Sequence, residues 1–117
     1  MDGRIAPSLG LIVREICLAR LDKTRPVLVL TRDAVRGAMT KVTVAPITST
    51  VRGLSSEVPL GPRNGLDHEC AASVDNTVTL PAALLGRTIG VLHPDQERRL
   101  AEAVVLALDL DIPLLAG

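Results

Sequence analysis

The chain has 117 residues, enough for one domain with a single modest core. Apolar residues make up 47% of it, yet it contains no Phe, Trp or Tyr, so its core must be aliphatic and no aromatic platform for stacking exists. Thirteen basic and thirteen acidic residues cancel, which excludes a surface that is basic throughout.

Residues 1–11, with Gly, Pro and Ser and no clear period, read as a loose leader before a single domain over 12–117. The apolar stretch from Leu9 to Val13 is too short for a signal peptide and runs into Arg14 and Glu15. No run approaches the roughly 18 apolar residues of a membrane helix, so a cytoplasmic location is expected. Ile12 to Leu21 predicts a first strand, with Arg14, Ile16, Leu18 and Arg20 on one face. Pro26 to Leu30 is apolar on both faces, as a central strand would be, and Pro26 is tolerated because it opens the strand. Thr31 to Lys41 is polar and reads as a loop with one helical turn at most. Val42 to Ile47 is β-branched and strand-like, with Pro46 arguing for an edge position or a bulge.

Thr48 to Ser56 predicts a loop around Gly53, and Glu57 to Leu60 a short strand. Gly61 to Asp67 carries turn chemistry in Gly61-Pro62 and Asn64-Gly65. Cys70 to Thr79 predicts one further strand, Pro81 to Leu85 a helical turn closed by Gly86, and Arg87 to Leu92 the last strand. A helix follows. Pro94 suits its first position, Asp95 and Glu97 favour its dipole, and Leu100, Ala103, Val104, Ala107 and Leu108 form one apolar face. Leu106 and Leu110 lie off that stripe, where a second subunit or a wider core contact accounts for them. Short strands broken by turns, then one helix, predict an α+β domain with a strongly curved, barrel-like antiparallel sheet.

Common catalytic signatures are missing: there is no phosphate-binding glycine loop, and Gly61 and Gly65 read as turn residues. Cys17 and Cys70 read as isolated thiols. Two Cys and two His without zinc-finger spacing predict no metal, and no cofactor is expected. His93 leads into the helix, and His68 sits in a polar loop where it is either solvated or touches substrate. The charge is unevenly spread. Residues 14–63 carry nine basic and four acidic groups, a net of +5, and residues 64–117 carry a net of −5. Eleven of the thirteen basic residues are Arg, which offers a planar fork to phosphate and a flat face to bases.

Two segments then become specific: Arg25-Pro26-Val27-Leu28-Val29 and Val44-Ala45-Pro46-Ile47-Thr48-Ser49. Together with Gly53 to Leu60, Asn64-Gly65-Leu66-Asp67 running to Asp75-Asn76, Leu85-Gly86-Arg87-Thr88-Ile89-Gly90, and Ala107-Leu108-Asp109-Leu110, they resemble the MazF/PemK toxins over residues 12–112. The resemblance implies an SH3-like barrel with a C-terminal helix, as in MazF and CcdB, and a homodimer held in check by a separate MazE-like antitoxin. It also implies metal-independent, sequence-specific cleavage of single-stranded RNA, leaving a 2′,3′-cyclic phosphate and a 5′-hydroxyl. Family members usually carry a long loop between the first two strands, whereas here only Leu21-Asp22-Lys23-Thr24 precedes Arg25.

On this reading Arg25 stabilises charge growing on the phosphoryl oxygens, and Thr48 binds the same phosphate or orients the attacking hydroxyl. Ser49, Thr50, Arg52, Asn64, His68 and Asn76 are the candidate RNA contacts, placed by their loops. Arginine is a poor proton acceptor. Asp22, Glu57 and Asp67 are open candidates for the general base. Two other functions stand beside the endoribonuclease: a CcdB-like toxin that binds a protein such as DNA gyrase, and a plain barrel interaction module.

Overall fold

The computed structural model describes residues 13–32 and 39–111. The expected leader over 1–11 and much of the expected loop over 31–41 lie outside these residues. Seven strands are present: β1 (Glu15–Arg20), β2 (Thr24–Val29), β3 (Lys41–Thr48), β4 (Glu57–Leu60), β5 (Cys70–Ser73), β6 (Val78–Pro81) and β7 (Leu85–Val91). Helix α1 spans Pro94–Ala107. The strands form one curled antiparallel sheet in the order β4-β5-β3-β2-β1-β7, with β6 also paired to β3. Register shifts at Ile16/Cys17 and Cys17/Ala19 bend β1 against β7, as bulges do at the turning points of barrels.

The central strands are buried on both faces, which explains the double-sided apolar pattern of Val27 to Leu30. One face sends Ile16, Leu28, Ala45 and Ile47 into a core shared with Val58 and Leu60 of β4 and with Leu100 and Ala103 of α1. The opposite face sends Cys17, Ala19, Val27, Val29, Val42 and Val44 into a second cluster closed by Leu80 and the turn at Ala82–Leu84. Both clusters are free of aromatic rings.

Several expectations change. Cys70 to Thr79 is two strands, because the chain leaves the sheet at a 3-10 turn over Val74–Asn76. That turn is fixed by hydrogen bonds from Val74 N to Ser56 O (3.0 Å), from Ser56 Oγ to Asp75, and from Asn76 Nδ2 to Ser73 Oγ (2.7 Å). Pro46 is on a central strand, not an edge. It sits where β3 changes neighbours, from β6 over Lys41–Val44 to β5 at Ile47–Thr48, so the lost N–H falls in a gap of the ladder. Pro94 does open the helix, and Leu100 and Ala103 are buried, but Leu108 is 63% exposed and shares that exposure with Leu106 and Leu110. No helix among the described residues is long and apolar enough to cross a membrane.

Candidate active site

Strands β2 and β3 bring the two residues singled out from the sequence together. Val27 pairs with Pro46, Leu28 with Ala45 and Val29 with Val44. Continuing that antiparallel register by two residues sets Arg25 level with Thr48, as a cross-strand pair on one face. Both line an open groove of about 750 Å³, as do Ser49, Thr50, Asp67 and His68. Leu18, Leu21, Val78 and Ile89 supply apolar walls, and Gly65 and Leu66 continue the side that carries Asp67 and His68.

Arg25 is held by its own turn. Its Nε and Nη2 donate to Asp22 Oδ1 and Oδ2 at 3.0 and 3.1 Å. Asp22 occupies one edge of the guanidinium, and the Nη1–Nη2 edge keeps its own pair of donors for a second oxyanion. The hydrogen bond from Arg25, helped by the backbone amide of Lys23, lowers the Asp22 carboxyl from its usual 3.8 to about 2. The same pair raises Arg25 further above its ordinary range. Thr48 Oγ accepts the Thr50 amide at 3.0 Å, which fixes its rotamer and leaves its O–H free to donate.

The other candidates separate. Arg52 and Asn76 are exposed but do not line the groove. Asn64 is fully buried, and its amide is spent on Gly61 N, Val91 O and Gln96, so it is not a base contact. Glu57 is buried beneath the loop before β4, where its carboxylate accepts the backbone amides of Arg52, Gly53 and Leu54 at 2.8–3.2 Å. Burial works to raise its pKa, and these amides together hold it below the ordinary value, so Glu57 clamps a loop and does not face the groove.

The net +5 of residues 14–63 does not gather in the groove. Arg14 is tied to Glu97 and to the carbonyls of Val29 and Leu30, and Arg63 to Asp95. Among the described residues Arg25 is the sole Lys or Arg lining the groove. Cys70 also lines it, but it is a buried thiol whose pKa is pushed up by burial and by Glu69. No three His, Cys, Asp or Glu side chains among the described residues are grouped to hold a metal ion. What the sequence reading missed is the partnership of Asp22 with Arg25. An acid three residues before an arginine, across a tight turn, was the available signal.

The curled sheet with its C-terminal helix has counterparts. The family described as "PemK-like, MazF-like toxin of type II toxin-antitoxin system" matches residues 14–108. The chain belongs to that family. Endoribonuclease MazF3 of Mycobacterium tuberculosis is 57% identical over 99 residues, covering 85% of this chain and 96% of that protein. Probable endoribonuclease MazF5 of the same organism is 36% identical over 86 residues, 73% of this chain and 79% of its own length. Among solved structures, M. tuberculosis toxin MazF-mt6 superposes with a TM-score of 0.82 at 56% identity, covering 85% of this chain and all of that one. A mycobacterial endoribonuclease in complex with its cognate antitoxin gives 0.75 at 25% identity, covering 85% and 95%. The chain is thus a MazF-type toxin endoribonuclease, and the CcdB-like alternative finds no support.

Proposed function

We propose that the groove cleaves single-stranded RNA by transesterification, with Arg25 and Thr48 at the scissile phosphate. The carrying observation is that both residues line one groove, Arg25 near the start of β2 and Thr48 at the end of its neighbour β3. The ribose 2′-oxygen loses its proton and bonds to phosphorus as the bond to the 5′-oxygen breaks, and the departing 5′-oxygen takes a proton from water, leaving a 2′,3′-cyclic phosphate and a 5′-hydroxyl. Charge grows on the non-bridging oxygens, where the free edge of Arg25 donates and no metal is needed to neutralise it. Thr48 donates its O–H to the same phosphate. Asp22, held near 2 by Arg25, orients the guanidinium and is too weak a base to take the 2′ proton. Glu57 is committed to its loop. Asp67 and His68, on the other wall, are the groups left to accept it. Ser49 and Thr50 follow Thr48 along the groove and meet the flanking nucleotides.

The protein acts in the cytoplasm as a homodimer controlled by an antitoxin. The relative solved with its cognate antitoxin supports the control, and exposed Leu106, Leu108 and Leu110 at the end of α1 supply apolar surface for a second subunit. The test is to incubate purified protein with long unstructured RNA in EDTA and to map both ends of each cut. Discrete cuts with cyclic-phosphate and 5′-hydroxyl ends, lost in Arg25→Ala and in Thr48→Ala, are expected. No cleavage of several diverse RNAs by the folded protein overturns the reading.

A further inference from the structure

The corner where the turn Pro62–Asn64 meets the start of α1 holds two buried amides that the chemistry above leaves unused. Asn64 is 0% exposed and Gln96 8%. Asn64 Oδ1 accepts from Gly61 N (3.0 Å) and Gln96 Nε2 (3.1 Å), while its Nδ2 donates to Val91 O (3.0 Å) and Gln96 Oε1 (2.7 Å). Gln96 Oε1 also accepts the His93 amide that begins the helix (3.0 Å), and its Nε2 reaches Pro59 O (3.4 Å). Two stretches about thirty residues apart meet at this amide pair: β4 with the turn that follows it, and the end of β7 with the helix start that follows it.

The position of this pair decides what it does. The next residue, Gly65, opens the wall that carries Asp67 and His68, and it leaves the turn at φ +84°. A Cβ on Gly65 would stand 2.0 Å from Ile89 O, and a Cβ on Gly90 would stand 1.8 Å from Asn64 O. The backbones at 64–65 and 89–90 are therefore in direct contact, and Ile89 itself lines the groove. Asn64 bonds to Val91 one residue beyond that contact, so its amide stitches the root of the wall to β7. The far end of the wall is buried Cys70, where β5 begins. Between these anchors Asp67, His68 and Glu69 are exposed.

We propose that Asn64 and Gln96 are positioning residues for RNA cleavage, their paired amides fixing the wall that presents Asp67 and His68 to substrate bound at Arg25 and Thr48. The proposal rests on reading the groove as the RNA site. Neither amide touches RNA; both act through the five residues that follow Asn64.

The test uses Gln96→Met, which keeps length and a helix-favouring side chain, removes both bonds to Asn64, and alters no groove-lining residue. Amide hydrogen exchange without RNA is expected to quicken about tenfold or more at Gly65–Glu69, with β2 and β3 staying protected. On cleavable RNA, kcat is expected to fall on the order of tenfold with KM nearly unchanged, because the wall carries the groups that take the 2′ proton; this is less than the roughly hundredfold loss that a 1 Å misplacement costs. Combining Gln96→Met with Asp67→Ala/His68→Ala is expected to cost no more than the double alanine alone, because all act on one wall. Unchanged exchange at 65–69, uniformly faster exchange throughout the chain, a rise in KM alone, or losses that multiply would each overturn the proposal. If Gln96→Met does not fold, Gln96→Glu carries the same measurements, since it keeps the acceptor for Asn64 and His93 while setting a carboxylate oxygen against Asn64 Oδ1 and Pro59 O in place of the donor. Exchange at the wall is read without RNA, so an inactive wild type defeats the RNA reading while faster exchange at 65–69 still reports the pin.

Discussion

Arg14 and Arg25 make nearly the same bond in two different regions, and only one of them is free to do chemistry. Each offers Nε and Nη2 to both oxygens of a carboxylate, Arg14 to Glu97 at 2.9 and 2.9 Å and Arg25 to Asp22 at 3.0 and 3.1 Å. At Arg14 the side chains are 16% and 29% exposed, and Nη1 is also spent on Val29 O and Leu30 O, so the residue ties β1, β2 and α1 together with few donors left over. At Arg25 the figures are 44% and 69%, the carboxylate comes from the adjacent turn, and the residue lines an open groove. The same fork serves as a structural tie where it is closed in, and where one edge is left to solvent it is the group we propose as the phosphate receptor.

The contrast predicts opposite consequences for one kind of substitution. Arg25→Ala should lower RNA cleavage by about a hundredfold or more, the usual cost of removing a preorganised donor to a developing oxyanion, with the melting temperature almost unchanged. Arg14→Ala should do the reverse: a loss of about 2 kcal/mol in chemical denaturation, less than the 3–5 kcal/mol of a fully buried pair, with cleavage retained below the melting transition. A variant at Arg14 that folds normally and cannot cut RNA would break the distinction. Asp22→Asn should reduce kcat on the order of tenfold, less than removal of the arginine itself, because the guanidinium stays charged but loses its orientation. The smallest effect is a titration. The Asp22 carboxyl is lowered in the fold, so its contribution to stability is complete above 3.8 and is lost as pH falls through about 2. Carboxyl NMR should place its midpoint near 2, moving back toward 3.8 in Arg25→Ala and staying put in Arg14→Ala.

Salt dependence sharpens the same point. With one guanidinium in the groove, RNA affinity should fall only gently with salt, at about −0.7 in log–log slope for each phosphate neutralised. The +5 balance of residues 14–63 does not steepen the response, because Arg14 and Arg63 are engaged with acids from the second half of the chain.

Much of the architecture was legible because it follows from local pattern. The doubly apolar Val27–Leu30, the Pro94 opening and the helix stripe through Leu100 and Ala103 each predict their element without reference to the rest. What was not legible depends on contacts distant in sequence. Asn64-Gly65 reads as a turn, and it is one, but the burial of Asn64 is imposed by β7 and α1 some thirty residues later. Pro46 read as an edge position or a bulge because local sequence does not show a strand that exchanges one neighbour for another. Arg25 and Thr48 were singled out by family resemblance. Their common register is a property of the β2–β3 ladder, and no spacing along the chain encodes it.

The sheet's two aliphatic faces have a practical corollary for spectroscopy. A chain without Trp, Tyr or Phe has almost no near-ultraviolet signal of its own, so neither its unfolding nor its ligand binding can be followed by intrinsic fluorescence. That silence is useful. A single tryptophan at Val78, which lines the groove and is 44% exposed, would be the only fluorophore in the protein, and every photon from it would report on the groove alone.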